Sequence, residues 1–192
     1  RNCLEAAAEI GARFVRIGIP GYDGSRNYND VFNEGLEEYA RIEEIAKETK
    51  VKAVFEIHMG NICPSASAAY RFASNFDPEC VGAIFDPGNM ICEGYENWQM
   101  GLEVLGPYLA HIHVKNGKWE VFDVSPDGRA LWRYASATMR GGRADWKVIM
   151  NAIRKAGYDG WMSLEDFSSV EKTEEKLPND LAFLKDLEKS AE

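Results

Sequence analysis

The chain has 192 residues, of which 45% are hydrophobic and 28% charged, and this combination is typical of a globular domain with a substantial core. Its formal net charge of −9 disfavours general binding to nucleic acids, because an acidic surface repels a phosphate backbone. The sequence contains no run of about 18 apolar residues, so we expect no membrane span.

Short runs rich in β-branched and aromatic residues alternate with amphipathic segments along the whole chain. Strands are predicted at 13–19, 51–57, 81–85, 110–114, 131–138 and 161–164. Helices are predicted at 4–10, 32–45, 65–72, 98–105 and 145–153, and a last helix from Pro178 to Leu187. Ser65 or Ser67 is expected to cap the third of these helices, and Asp145 the fifth.

Six strand and helix units in alternation predict a parallel sheet covered by helices, either a barrel or a doubly wound sheet. Each unit takes about 32 residues, so eight units would take about 256, close to the roughly 250 of an eight-stranded (β/α)8 barrel. We therefore expect residues 1–192 to form a single barrel domain without its first two βα units. On this argument roughly 60 to 80 further residues precede Arg1 in the natural protein, and open sheet edges would favour a homo-oligomer.

Four cysteines, at positions 3, 63, 80 and 92, form no C-x-x-C pair. We interpret them as free thiols, because a chain of this length needs no disulfides and the spacing is wrong for a zinc site. Together with the lack of a visible signal peptide, this predicts a cytoplasmic location.

Polar residues stand at or near the carboxyl ends of four of the predicted strands, where the rest of each strand is apolar. They are Glu56 and His58, Asp86, His111 and His113, and Glu165. The carboxyl ends of barrel strands converge on one face, so these side chains are expected to meet. Three carboxylates gathered there would repel one another unless a cation neutralised them.

Oxygen ligands with one imidazole suit Mn²⁺, Mg²⁺, Co²⁺ or Zn²⁺. A single glutamate at a strand end more often forms a salt bridge, and a single strand histidine more often belongs to the core. Four such residues at the ends of four strands favour a site for one divalent metal ion, and we expect Mn²⁺ before the other three.

Five segments in this order resemble the xylose isomerase-like superfamily of TIM barrels, which includes sugar isomerases, ketose epimerases, inosose dehydratases and endonuclease IV. They are VFEIHMG at 54–60, FDPGN at 85–89, HIHVKN at 111–116, RGGRADW at 140–146 and GYDGWMSLE at 157–165. The resemblance covers essentially the whole chain, from the second helix of the barrel onward.

The resemblance implies that Glu56, Asp86, His113 and Glu165 are the metal ligands. His113 is favoured over His111 because it directly precedes the V-K-N tripeptide. The resemblance also implies that a small-molecule sugar or sugar derivative is bound by four further residues, namely His58, Asn61, Lys115 and Arg140. For Lys115, a purely structural ion pair with Asp86 or Glu165 is an equally good interpretation.

The implied function is that of a metal-dependent sugar isomerase or epimerase. Such an enzyme abstracts a proton next to a carbonyl and forms a metal-stabilised enediolate. In the ketose epimerases that this sequence resembles, two carboxylates exchange the proton, and these catalytic roles would fall on Glu56 and Glu165.

This function has three alternatives. A metal-dependent lyase or dehydratase acting on a keto-sugar or keto-inositol would use the same residues, and a non-catalytic binding subunit also remains open. Endonuclease action on abasic DNA is disfavoured, because that branch needs extra histidine ligands, whereas Asn89 follows Asp86-Pro-Gly and the chain has three histidines.

Overall fold

The computed structural model describes residues 2–189. Within that range the strands are β1 (Phe14–Arg16), β2 (Lys52–Glu56), β3 (Val81–Phe85), β4 (Leu109–Val114), β5 (Gly117–Val124), β6 (Ala130–Ser136) and β7 (Met162–Leu164). The helices are α1 (Asn2–Glu9), α2 (Tyr28–Thr49), α3 (Ala66–Ala73), α4 (Pro87–Cys92), α5 (Trp98–Leu105), α6 (Trp146–Lys155) and α7 (Thr173–Lys189), and a short 3₁₀ helix (Gly106–Tyr108) precedes β4. Over this part of the chain, no helix is both long and apolar enough to cross a bilayer.

The main sheet contains five parallel strands in the order β1-β2-β3-β4-β7. Its register places Glu56 opposite Ile84, and His113 opposite Ser163. Because the strands are parallel, their carboxyl ends lie at the same edge of the sheet. The helices follow the strands in an α/β arrangement, which confirms the predicted fold class of a partial (β/α) barrel.

The strand predicted at 131–138 forms as β6, but it lies outside the main sheet. It pairs with β5 in a separate antiparallel hairpin, so five of the six predicted strands build the barrel. The turn contains Pro126, Asp127 and Gly128, and Gly128 has a φ of +84°. A segment rich in β-forming residues is predicted to be extended, but its composition does not indicate which strand it pairs with. The Pro-Asp-Gly sequence is the signal for the tight turn between β5 and β6.

The last helix begins earlier than predicted, at Thr173, with Pro178 inside it. Proline often marks the first turn of a helix because its missing N–H costs nothing there. Here the first turn carries Glu174 and Glu175 instead, and negative charges interact favourably with the N-terminal end of a helix dipole.

An aromatic cluster fixes α2 against the sheet beneath the polar edge. Tyr39, Phe55 and Phe72 are fully buried and pack edge to face, with ring centroids 5.0 to 5.9 Å apart. The Tyr39 hydroxyl lies 3.2 Å from the carbonyl of Ile17 and 3.1 Å from that of Gly18. This packing holds the segment after β1 next to the end of β2, where Glu56 follows Phe55.

Candidate metal centre

Four strand ends bring the four predicted metal ligands together. Glu56 is the last residue of β2, Asp86 follows β3, His113 lies in β4 and Glu165 follows β7. One potential ligand atom from each residue lies within 4.8 Å of all the others. Residues separated by up to 109 positions in the sequence therefore form one cluster because the strands that carry them are adjacent.

His113 stands at the centre of the cluster. Its Nδ1 lies 3.1 Å from Glu56 Oε1, 3.3 Å from Asp86 Oδ2 and 3.4 Å from Glu165 Oε2. Three acidic side chains thus converge on one ring nitrogen, which marks the point where a positive charge is most stabilised.

The two innermost carboxylates are held by specific hydrogen bonds. Asp86 caps α4 by accepting the backbone N–H of Asn89 at Oδ1, over 2.8 Å, which leaves Oδ2 directed to the cluster. Glu56 accepts the Asn89 side-chain amide at Oε1, over 2.9 Å, and pairs with Arg16 through Oε2, over 2.6 Å. Both carboxylates therefore have little freedom to rotate.

Lys115 is buried beside the cluster. Its Nζ lies 3.1 Å from Glu165 Oε2 and 3.4 Å from Asp86 Oδ2, and it also lies over the Phe167 ring, 4.9 Å from the centroid. Its stem passes so close to Gly88 that a β-carbon at that position would stand 2.5 Å from Lys115 Cγ. The structure therefore contains the ion pairs that sequence reasoning gave as one interpretation of Lys115.

Charge dominates the energetics of this cluster. Burial raises the pKa of Asp86. Burial also opposes ionisation of Glu56, but its hydrogen bond to His113 and the charges of His113 and Arg16 lower its pKa to about 2. Burial disfavours a charged His113, but its bonds to Asp86 and Glu56 and the charge of Glu165 raise its pKa to about 9. The cluster thus strongly favours a positive charge at its centre.

A divalent cation fits this donor set. Three carboxylate oxygens and one imidazole nitrogen are ligands that Mn²⁺, Mg²⁺, Co²⁺ and Zn²⁺ accept. Ligand distances of about 2.0 to 2.4 Å to one ion keep the ligand atoms within roughly 4.8 Å of one another. In addition, the buried Asn89 Oδ1 has no hydrogen-bond partner among the described residues, so an acceptor remains for a hydroxyl ligand at the edge of the cluster.

Two of the predicted sugar-binding residues lie next to Glu56. His58 and Asn61 line a cavity of about 220 Å³ together with Arg16 and Glu56. The Asn61 side chain bonds to the backbone, through Nδ2 to the Glu56 carbonyl and through Oδ1 from the Cys63 N–H. Asn61 therefore holds the backbone of the loop that forms one wall of this cavity.

The fourth predicted sugar-binding residue, Arg140, makes its contacts elsewhere. Its guanidinium lies over the Phe183 ring, 4.2 Å from the centroid, and it lines a different cavity of about 240 Å³ with Asp166 and Asp180. His111 is not among the four grouped ligands, but its ring packs edge to face on that of His113, with centroids 5.6 Å apart. Its Nε2 lies 2.8 Å from Ser163 Oγ, and its ring also packs against Phe14.

Sequence reasoning missed the roles of Arg16 and Asn89. Arg16 stands inside the predicted strand RFVRIGI (13–19), between apolar neighbours, and a charged residue inside such a strand is the signal of a partner across the sheet. Asn89 was noted for its place in a motif, but its bond to Glu56 depends on how α4 follows β3.

The family model for the xylose isomerase-like TIM barrel matches residues 1–187. The inosose dehydratase of Lacticaseibacillus casei is 28% identical over 139 residues, which cover 68% of this chain and 44% of that protein. The chain therefore spans about half the length of the curated relatives it matches.

Solved structures resemble the fold over nearly the whole chain. A 3-keto-D-glucoside 4-epimerase from E. coli has a TM-score of 0.73 at 18% identity, covering 95% of this chain and 67% of that one. The IolI protein, crystallised with a zinc atom, has a TM-score of 0.73 at 14% identity, covering 97% and 65%. On the family match and the barrel architecture, the chain belongs to the xylose isomerase-like TIM barrel family.

Proposed function

We propose that this chain holds one divalent cation, with Mn²⁺ preferred, through Glu56, Asp86, His113 and Glu165. We further propose that it isomerises or epimerises a sugar or sugar derivative by removing a proton next to a carbonyl. The observation that carries this proposal is the convergence of the four ligand atoms within 4.8 Å of one another. The epimerase and inosose dehydratase relatives support chemistry at a carbon beside a carbonyl.

The two glutamates of the cluster differ in their access to a substrate. The Glu165 side chain is 26% exposed and contacts Lys115 and His113 through a single oxygen, Oε2. Glu56 is 4% exposed, and both of its oxygens have partners. A general base must reach the proton it removes, so Glu165 takes the proton from the substrate and Glu56 acts on the opposite side.

The remaining groups support proton transfer electrostatically. When bound, the cation polarises the substrate carbonyl and stabilises the negative charge that develops on its oxygen. Lys115 keeps Glu165 oriented through the 3.1 Å ion pair. Asn89 donates to Oε1 of Glu56 and Arg16 pairs with Oε2. These two contacts fix the orientation of the carboxylate toward the cluster.

A dehydratase is the second candidate. It is favoured by the similarity to inosose dehydratases, at 24 to 28% identity in different bacteria. Proton abstraction by Glu165 is common to both reactions, and the two diverge only when a leaving group stands β to the carbonyl.

Metal content and deuterium exchange test the proposal together. The protein is stripped with EDTA, reloaded with Mn²⁺ and incubated in D₂O with a panel of keto-sugars and a keto-inositol, and the products are followed by NMR. We expect one Mn²⁺ per chain and deuterium at the carbon beside the carbonyl. Retention of all substituents identifies an isomerase or epimerase, and loss of water identifies a dehydratase.

The variant Glu165→Gln should keep the fold but lose exchange by a factor of roughly 10² or more, because a positioned general base contributes about that much. Glu175→Gln, the same change on an exposed part of α7, is the matched control and should exchange like the wild type. Unchanged exchange in Glu165→Gln, or Mn²⁺ well below one per chain, would contradict the proposal.

A further inference from the structure

The segment that follows β7, residues 165–168, contacts the cluster twice. It begins at Glu165, whose backbone N–H donates to the Val114 carbonyl over 2.9 Å. Two residues later the Phe167 ring lies against the Lys115 ammonium, which is 4.9 Å from the ring centroid. Lys115 is in turn the ion-pair partner of Glu165. The path of this post-β7 segment therefore affects both members of that ion pair.

Two buried side chains hold the post-β7 segment in a turn. The Asp166 side chain is 1% exposed, and its Oδ1 accepts the backbone N–H of Ser168 over 2.6 Å, the bond of an Asx turn. Lys176 of α7 reaches the same turn. Its Nζ donates to the Ser168 carbonyl over 2.7 Å and lies 3.5 Å from Asp166 Oδ1. One ammonium thus ties both ends of the turn to α7.

The burial of Lys176 gives these contacts their weight. Its side chain is 10% exposed, and a lysine is almost never fully buried unless it is paired. Both contacts named above join it to residues that directly follow Glu165. A buried ion pair is screened much less than an exposed one, so this pair resists displacement of the turn.

A carboxylate that ligates a cation and removes a proton must be held within about 0.5 Å of its working position. We propose that Lys176 is a positioning residue for Glu165. From α7 it fixes the turn at Asp166 and Ser168, and so the direction in which the Glu165 side chain leaves the end of β7. This inference rests on the proposed function, because it concerns the alignment of the same centre. It gives an outer helix of the barrel a part in the reaction.

Hydrogen exchange in the metal-free protein tests whether Lys176 fixes the turn. Deuterium uptake of peptides spanning residues 163–170 is followed by mass spectrometry in the wild type and in Lys176→Met, which keeps the length of the stem but removes the ammonium. We expect uptake about tenfold faster in the variant, because Asp166 and the Ser168 carbonyl lose their shared partner and the segment opens locally. Peptides from α3 are the internal reference and should exchange alike in both proteins.

Mn²⁺ affinity and turnover test whether the turn in fact positions Glu165. Free Mn²⁺ is measured by EPR, and deuterium exchange into the most active compound of the keto-sugar and keto-inositol panel gives kcat and KM. Lys176→Met should bind Mn²⁺ and turn over about tenfold less well, as when the support of a metal ligand is removed. KM should stay within about twofold, since substrate binding is not the interaction lost. Lys176→Arg keeps a charged donor and should recover most of both.

Two further variants separate positioning from a general loss of stability. Leu184→Ala removes a buried side chain of the same helix and should also lower the Tm, yet keep the Mn²⁺ affinity and kcat of the wild type. Lys185→Met makes the same chemical change at an exposed place on α7 and should behave like the wild type. If Lys176→Met does not fold, Lys176→Gln replaces it. Its amide is too short to make both contacts, and the adjacent cavity of about 240 Å³ leaves room for water.

The outcomes distinguish this inference from the proposed function. Amide exchange and Mn²⁺ affinity that are unchanged on loss of the ammonium overturn the inference, and so does a Leu184→Ala variant with the same loss of Mn²⁺ affinity and kcat. A wild type that binds one Mn²⁺ but exchanges no substrate proton overturns the proposed reaction alone, and weaker Mn²⁺ binding in Lys176→Met then still supports the positioning role. A wild type that binds no Mn²⁺ overturns both.

Discussion

Gly88 lies where the stem of Lys115 passes close to the backbone of α4. A β-carbon there would stand 2.5, 2.9 and 3.0 Å from the Cγ, Cδ and Cβ atoms of Lys115. These atoms belong to the inner part of the lysine stem and cannot swing aside as a side-chain tip can. The absence of a side chain at position 88 therefore allows Lys115 to reach Asp86 and Glu165.

We predict that Gly88→Ala destabilises the protein by about 1 to 3 kcal/mol, the usual effect of overpacking a buried site. Thermal unfolding of the metal-free protein measures this change, at roughly 2 to 4 °C of Tm per kcal/mol for a chain of this size. Gly18→Ala is the control, because that position has open space around it. An unchanged Tm in Gly88→Ala would show that Lys115 can be displaced at no cost.

At the scale of single residues, sequence reasoning identified the whole cluster but few of its supporting contacts. The meeting of Glu56, Asp86 and Glu165 with a histidine of β4 was predictable because parallel strands align their ends. The choice of His113 over His111 came from the resemblance. The bond from Asn89 to Glu56 and the ion pair from Arg16 depend on register and helix placement, which a single sequence does not specify. Arg140 was predicted to bind the sugar on the strength of a motif, whereas its contact with Phe183 is set by the packing of α7.

The buried amide of Asn116, just after β4, bonds to the hairpin and to the segment before α6. Asn116 donates from Nδ2 to the carbonyls of Met139 and Ala144, over 2.9 and 3.0 Å. Its Oδ1 accepts the backbone N–H groups of Gly117 and Ala144, both over 2.9 Å. Gly142 passes so close that a β-carbon would lie 2.0 Å from Asn116 Oδ1, so the loop encloses this amide tightly.

We predict that Asn116→Asp is destabilising by about 1 to 3 kcal/mol, because a carboxylate keeps the two accepted bonds but faces two carbonyls without a proton to donate. Chemical denaturation at neutral pH measures the loss. Asn151→Asp is the control, since Asn151 uses its Oδ1 as an acceptor from Arg154 and a carboxylate preserves that bond. Equal stability of the two variants would contradict this role of Asn116.

The sequence predicted which segments form helices and strands better than it predicted which strands pair with one another. Apart from α4, which was not predicted, the helices and the five barrel strands follow from hydrophobic periodicity, which reports the face that each segment buries. The segment of β6 was predicted to be a barrel strand, because its apolar residues, such as the exposed Trp132, resemble those of a buried strand, whereas β5 was not predicted. Only the long-range contacts of such a segment distinguish a hairpin strand from a barrel strand.

At the scale of the whole molecule, two acidic residues link the last helix to the polar edge of the barrel. Asp180 of α7 and Asp166, the residue after Glu165, are both buried. Burial first, and then the charge of Asp166 and a hydrogen bond to it, raise the pKa of Asp180 to about 6, and Arg140 partly offsets this. Lys176 lies on the other side of the pair, 3.5 Å from Asp166 Oδ1.

A raised carboxyl pKa means that the folded state binds the proton more tightly than the unfolded chain does. The resulting stability is complete below the unfolded pKa near 3.8 and is lost as the pH rises through about 6. We therefore predict that Asp180→Asn raises the Tm at pH 7.5 by roughly 2 to 4 °C, the effect of about 1 kcal/mol. The gain should shrink toward pH 4.

Calorimetry across this pH range checks the prediction, with Asp186→Asn on the exposed face of the same helix as control. The difference between variant and wild type is the relevant quantity, because other groups titrate in both proteins. A Tm difference between Asp180→Asn and the wild type that did not change with pH would show that titration of Asp180 is not its cause.

Helix α4 connects the cluster to the hairpin. It begins at its cap, Asp86, and its carbonyls of Gly88 and Ile91 accept hydrogen bonds from Tyr134 and from the Trp119 indole N–H, over 3.1 and 2.9 Å. A carboxylate that shifts to meet a cation must carry the start of this short helix with it. The indole ring of Trp119 is bonded to the other end of α4, so a movement that begins at Asp86 would change the surroundings of this fluorophore.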